Sequence, residues 1–494
     1  MDRAARYAPY GYNDEDVPWA NASPVVWDYV DWGSLQEQCV EKNHDRYDAA
    51  EKEPREKFWY PIEEDTKNAE DFQAEKQRSE RVHKSGEPRY KQRTAVLYRI
   101  YRDLKWQEDI IYTIRAMVME LNLHSGGEYT VFLMMEVPPI ENLFRNPKVY
   151  DSIIETHVPP EFRNMTILFN MDLVINWYPS LAASTGIARY RMNQPYQLFT
   201  LLHPEFDFVW MMEADVRYTG SWYELFESAE SWSRAQPRKM SWERAAEYYI
   251  PSLYGTYANF SRSIQDKYPD GGVWGATETI LLEHGTGPTP STPHSDQDNY
   301  SWGVGEDADL IPMSPVVYAQ NMPLFREDPV AGMPAETKRL VTVPSVARWS
   351  KYALRTMHSM QIVQGTQVVP EFYAYTIGEI NGLKIAAFPT PYYYSPIKGV
   401  EDGAEKMQEV FNDFKDERSP YKSQKPQVNI DMFDQMTYWW VQDDWRIQHS
   451  SRLYRKWYGL SEIPGEEIGG DRTYPGMKRM CLPGVLMHPV KDTS

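Results

Sequence analysis

A strand, a helix and a second strand follow one another between residues 94 and 137. No other feature of the sequence constrains the fold as strongly. "TAVLYRIY" (94–101) is apolar and rich enough in β-branched and aromatic residues to form a strand. Ile110, Ile111, Ile114, Met117, Val118 and Leu121 then recur at helical spacing, with charges on the other side. That is the pattern of a helix laid against a sheet. Gly126 and Gly127 end it, since helices commonly stop on a left-handed residue and glycine enters that region freely. "EYTVFLMMEV" (128–137) is a second apolar strand. Strand, crossover and strand of these lengths imply parallel pairing with a right-handed connection.

Further strands are expected at 166–170, 206–212 and 382–388, and helices around 181–201, 221–234, 345–362 and 404–416. Together they predict an α/β fold with a mostly parallel central sheet flanked by helices. Residues 1–90 differ: they are highly charged, with sparse apolar positions. They predict a charged N-terminal extension lying against a catalytic body that spans 91–494. In open sheets of this kind ligands bind beyond the carboxyl ends of the strands.

Charge narrows the partners. The 494 residues carry 52 basic and 71 acidic side chains, a net of −19. That balance argues against nucleic acid or an anionic membrane surface. A phosphate-bearing small molecule stays open, because a bound cation reverses the local sign. No run of about 18 apolar residues is present, so no membrane-spanning helix is expected. The N-terminus lacks the pattern of a signal peptide, which taken literally gives a cytoplasmic chain. The two cysteines, Cys39 and Cys481, allow a single intramolecular pairing, and in a cytoplasmic protein two reduced thiols are expected. Aromatic residues make up 14% of the chain. They fit either a large core or the stacking of sugar rings.

Three short segments carry candidate chemistry. In "FDFVWMMEADVRYTG" (206–220) a buried strand ends on Glu213 and Asp215, followed by Arg217 and Gly220. Residues i and i+2 of a strand share one side, about 6–7 Å apart. Glu213 and Asp215 would therefore offer oxygen ligands into one crevice, as Mg²⁺ or Mn²⁺ require. About ten acid-x-acid triplets are expected by chance at this composition, so the strand context carries the argument. In "NYSWGVGEDADLIP" (299–312), Gly303 and Gly305 permit tight turns, and Glu306, Asp307 and Asp309 follow. These acids suit either the start of a helix or a general base that grips an acceptor hydroxyl. Trp302 could stack on a sugar. The tail "CLPGVLMHPVKD" (481–492) holds His488, an acceptable Mn²⁺ ligand, and Lys491, able to approach a phosphate.

With these segments placed, the sequence resembles a fungal family known only as a domain of unknown function. "FVWMMEADVRYTGSWYELF", "SWGVGEDADLI", "MCLPGVLMHPVKD", "RYAPYGYNDE" and "RAAEYYIPSLYG" carry the resemblance across nearly the whole chain. That family in turn looks like GT-A-fold glycosyltransferases, with a Rossmann-like sheet, a nucleotide-sugar donor and commonly Mn²⁺. The resemblance implies that Asp215 binds the metal and that Glu213 supports the ribose or a metal-bound water. It also implies that His488 completes the metal shell and that Arg99, Tyr101 and Arg102 line the base and ribose pocket. "WGVGEDAD" is similar to the acceptor segment of β-1,4-galactosyltransferases, departing at Val304 and Ala308. It makes Asp307 the base and Glu306 the acceptor contact. Such enzymes usually work in the Golgi lumen, which implies a Cys39–Cys481 disulfide and makes the sequons at Asn21, Asn164, Asn259 and Asn299 permissive. The expected partners are a nucleotide-sugar donor and a glycan or glycoconjugate acceptor. Two other classes compete: a catalytically silent sugar-binding or scaffold protein of the same fold, and a glycoside hydrolase pairing Glu371 with Asp307.

Overall fold

The computed structural model describes residues 25–48, 53–67, 90–180, 191–247, 249–269, 272–275, 290–313, 316–318, 340–342, 345–366, 370–389, 392–393, 438–440 and 484–490. It also describes the single positions 404, 405, 408, 451, 454, 455, 457 and 458. Its strands are β1 (Thr94–Tyr101), β2 (Tyr129–Glu136), β3 (Thr166–Phe169), β4 (Phe208–Glu213), β5 (Arg217–Tyr218) and β6 (Leu310–Pro312). Then come β7 (Val316–Tyr318), β8 (Leu340–Thr342), β9 (Val346–Ser350), β10 (Tyr392–Tyr393), β11 (Tyr438–Trp440) and β12 (Leu486–His488).

Six strands build the central sheet in the order β3-β2-β1-β4-β9-β6. The first four are mutually parallel. β9 runs antiparallel to β4, and β6 antiparallel to β9. The sheet is thus mostly parallel and mixed at one edge. From β1 the chain winds outward through β2 to β3, then returns to place β4 on the other side of β1. In open α/β sheets a reversal of strand order of this kind marks the ligand crevice, beyond the carboxyl ends of the strands, here β1 and β4. A second sheet, β10-β11-β12-β5, stands beside that end, and β12 pairs antiparallel with β5.

Alternation along the strands sorts side chains into two cores. Ala95, Leu97, Met134, Val209 and Met211 face one way, under the helices Gln194–Leu202, Lys351–Gln364 and Pro370–Ile380. Val96, Tyr98, Leu133, Met135, Trp210 and Met212 face the other way, under the helices Glu108–Met117 and Trp222–Arg234. The first of these helices widens into a π-helical stretch, Val118–Leu123, before the chain turns at Gly126 and Gly127. Gly127 sits at φ +93, and a Cβ there would come within 2.9 Å of Val40 Cγ2. Helix Trp222–Arg234 starts on Ser221, whose side chain accepts from the Glu224 N–H, an ordinary N-cap.

The first two strands and the crossover helix lie where the periodicity places them. Other expectations need correction. Residues 345–362 do not form one helix: Val346–Ser350 is strand β9, and the helix begins at Lys351 on the Ser350 cap. The segment 382–388 makes a single bridge, Ile385 to Leu310, beside β6 rather than a full strand. The helix expected over 181–201 is described as Gln194–Leu202, and residues 181–190 lie outside the described residues, as does most of 404–416.

Part of the charged N-terminal region is described. Helix Trp32–Lys42 buries Trp32, whose Nε1 donates to Glu161 Oε2 at 2.9 Å. Gln36 makes a two-point bond to the backbone of Val131, donating to its carbonyl at 3.0 Å and accepting from its N–H at 2.7 Å. The first half of β2 extends past β3, so this amide covers an otherwise open strand edge. Among the described residues Cys39 is an unpaired thiol, and burial raises its pKa. Cys481 lies outside the described residues. Among the described residues no helix is long and apolar enough to cross a membrane.

Candidate metal centre

Glu213 is the last residue of β4, and its N–H donates to the Ser345 carbonyl at 3.0 Å. The chain then turns tightly, with Val216 N–H on the Glu213 carbonyl at 3.2 Å, and enters β5. β5 pairs with β12, bringing residues from the end of the chain to this turn. The Val490 N–H donates to the Asp215 carbonyl at 2.7 Å. Two residues earlier, His488 places Nε2 2.9 Å from Glu213 Oε2 and 3.5 Å from Asp215 Oδ1. Glu213, Asp215 and His488 thus bring one ligand atom each to within 4.8 Å of one another. Among the described residues this is the only set of three such donors.

The donor chemistry fits a divalent cation. Two carboxylates and one imidazole combine hard oxygens with a borderline nitrogen, a set that suits Mn²⁺ better than the all-oxygen preference of Mg²⁺. His488 is buried, whereas the two carboxylates are partly open to solvent. The centre therefore has one walled side and one accessible side.

Arg99 lies beside it. In the β1–β4 register Arg99 is directly opposite Glu213, so both side chains leave the same face. The Arg99 guanidinium donates to Glu136 Oε2 at 2.7 Å and to the Met192 carbonyl at 3.3 Å, above the Phe169 ring. Burial opposes its charge, but Tyr196, Glu136 and Glu213 outweigh burial and hold its pKa above the usual value. Tyr101, two residues on, shares the face and is exposed at the rim. Arg102 turns its guanidinium onto the neighbouring Asp103, at 2.8 and 2.9 Å. Lys491 lies outside the described residues.

The acidic loop is elsewhere. β6 and β9 pair Leu310 with Trp349, and Ser350 donates its N–H to the Asp309 carbonyl at 2.8 Å. Ser350 is in turn opposite Phe208, the first residue of β4. Glu306 and Asp307 therefore lie at the amino end of β4, while Glu213 and Asp215 lie at its carboxyl end. Five residue steps along β4 and two strand spacings separate the two groups, about 20 Å in all. No helix begins at Glu306: residues 302–305 are turns, with Gly303 and Gly305 at φ +88 and +89. A Cβ on Gly303 would meet Arg238 Cγ at 2.5 Å, so glycine is required there.

Each acid of that loop already has a structural partner. Arg234 Nε and Nη2 both reach Asp307 Oδ1, at 3.1 and 2.7 Å. Arg238 pairs with Glu306 at 2.9 Å. Asp309 accepts from the Ser350 hydroxyl at 2.7 Å and the Lys384 N–H at 2.9 Å. Lys384 Nζ donates to the carbonyls of Gly303 and Glu306, both at 2.6 Å. Burial and Arg238 push Lys384 down to about 7 against the pull of Glu306, Asp307 and Asp309. Trp302 is buried against Trp274 and beneath Arg238, so it presents no stacking face. Glu371 lies on the helix Pro370–Ile380, and its side chain is outside the described residues.

Three further residues meet at the turn that follows Glu213: Tyr98, Asp109 and Arg217. Neither Tyr98 nor Asp109 stands out in the sequence, and Arg217 does so only as the charge that follows the acidic pair. One signal was available: an arginine two residues beyond a candidate ligand, on a segment flanked by apolar residues, needs a buried acid to neutralise it.

The chain belongs to a family described as protein of unknown function (DUF3405), whose model matches residues 1–492. No curated protein matches it.

Proposed function

We propose that this member of the family is a divalent-cation-dependent glycosyltransferase. It would take its sugar from a nucleotide-sugar donor and pass it to a hydroxyl of a glycan or glycoconjugate. The observation that carries the proposal is the convergence of Glu213, Asp215 and His488 at the strand-order reversal. Such crevices in open α/β sheets accept nucleotides. The resemblance to GT-A-fold glycosyltransferases points the same way.

When bound, Mn²⁺, or Mg²⁺ in its place, supplies positive charge against a departing diphosphate. Glu213, Asp215 and His488 would hold it. Arg99 adds a fixed positive charge on the same face, held by Glu136 at 2.7 Å. Tyr101, exposed at the rim, offers a ring to a nucleoside. The acceptor's proton has to leave at this end of the sheet. Glu306 and Asp307, about 20 Å away at the other end, are therefore outside the reacting set and serve to hold the glycine loop.

Calorimetric titration with UDP and GDP, with and without Mn²⁺, tests the proposal. Mn²⁺-dependent binding of one nucleotide, lost in Asp215→Ala, is expected. A folded protein that binds neither nucleotide would refute it and leave the scaffold and hydrolase alternatives.

A further inference from the structure

Between Glu213 and Arg217 the chain makes a turn whose shape decides whether two carboxylates point at one spot. Two peptide carbonyls lie between the two ligands: that of Glu213 accepts from the Val216 N–H at 3.2 Å, and that of Ala214 is doubly held. Tyr98 Oη donates to it at 2.6 Å and Arg217 Nη1 at 2.7 Å. The same Nη1 also donates to the Val216 carbonyl at 2.9 Å and the Tyr98 hydroxyl at 3.0 Å. The other side of the guanidinium, through Nε and Nη2, is clamped on Asp109 Oδ2 at 3.0 and 2.9 Å.

Arg217 and Asp109 are both almost wholly buried. Asp109 sits in the first turn of the helix Glu108–Met117, where the helix N-terminus favours a carboxylate. A buried ion pair of this kind adds little net stability compared with apolar residues of the same size. Its cost is better accounted for by what it orients. The guanidinium is planar and rigid, so one group can meet three acceptors around the turn while tied to a carboxylate on another element. A lysine in its place could not span them.

We infer that Tyr98, Arg217 and Asp109 are positioning residues for the cation centre. They lock the Ala214 peptide so that Glu213 and Asp215 present their carboxylates together to His488. The inference rests on the metal reading above and extends it from the ligands to the groups that aim them. Arg455 Nη1, 3.7 Å from Asp109 Oδ1, brings a residue from late in the chain onto the same carboxylate. His488 comes from the same end of the chain.

The test is Mn²⁺ affinity, read from the free-ion electron paramagnetic resonance signal of full-length protein. Wild type, Asp215→Ala, Tyr98→Phe and Arg217→Lys are compared. Ile264→Val, in a separate small cluster with Met240 and Phe260, controls for loss of stability alone. Tyr98→Phe keeps its ring in the core and loses one hydrogen bond to Ala214, so the Kd should rise roughly three- to tenfold. Arg217→Lys should raise it by about tenfold or more. The bound-ion spectrum should broaden in both as the ligand geometry loosens. Ile264→Val should bind as wild type does. Folded Tyr98→Phe with wild-type affinity and spectrum would overturn the positioning role while leaving the metal centre standing. Wild type that binds no better than Asp215→Ala would overturn both. Should Arg217→Lys fail to fold, Tyr98→Phe decides.

Discussion

Replacing Asp307 with asparagine separates a structural acid from a catalytic one. Its carboxylate accepts two N–H bonds from Arg234, but that arginine is half exposed. Solvent screening then limits the pair to roughly 1 kcal/mol of stability, well short of the 3–5 kcal/mol expected when a buried pair is broken. At about 20 Å from Asp215 and through water, one unit charge contributes about 0.2 kcal/mol, less than a twofold change in cation affinity. Asp307→Asn should therefore lower the denaturant midpoint modestly and leave Mn²⁺ and nucleotide binding within twofold. If a transfer assay is established, turnover should likewise change little. A general base would instead lose roughly 10²- to 10⁴-fold in turnover with stability preserved. Urea melts and calorimetry on one preparation distinguish the cases. A variant as stable as wild type that loses nucleotide binding tenfold would refute the placement of this loop away from the site.

Other predictions concern the scaffold. His358 is buried on Tyr178, its Nδ1 2.7 Å from the hydroxyl, and burial pushes its pKa down to about 3. The unfolded chain takes up that proton near its ordinary value of 6.5. The folded state is therefore fully favoured above about pH 6.5 and loses stability as pH falls toward 3. His358→Leu should remove a slope of about 1.4 kcal/mol per pH unit between pH 4 and 6, read from urea melts across that range. Glu161→Gln leaves buried Arg115 without the carboxylate that meets it at 2.6 and 2.8 Å. It should destabilise by about 3 kcal/mol and red-shift the emission of Trp32, whose indole also bonds Glu161. Gly127→Ala forces a side chain into φ +93 against Val40. A loss of about 1–2 kcal/mol is expected from the left-handed conformation alone, measured by thermal melting against wild type.

Periodicity alone located β1, the crossover helix and β2, because each buries a continuous apolar face whose repeat differs between helix and strand. It also ended β4 at the acids, where an apolar run stops and charge begins. Periodicity failed at β9. "VARWS" is short and runs directly into the helix Lys351–Gln364, so its five buried strand residues resemble the first turn of that helix. The Ser350 cap was the one available clue. The π-helical widening at Val118–Leu123 leaves no trace in apolar spacing at all.

The candidate site divides in the same way. The sequence placed Glu213 at the end of an apolar strand, but Asp215 lies beyond that strand in a turn, so the turn and not a two-residue repeat brings the two carboxylates together. The sequence also marked His488 and the acids from Glu306 to Asp309 as chemically able. Proximity is different, because it depends on which strand pairs with which and in which direction. The antiparallel entry of β9 next to β4 carries β6 with it and sends the glycine loop to the far end of the sheet. The pairing of β5 with β12 brings His488 across 275 residues to Glu213. Both outcomes come from long-range backbone pairing, which adjacent residues do not encode. Only the tertiary structure could decide that the last histidine, and not the acidic loop, joins the two acids at the end of β4.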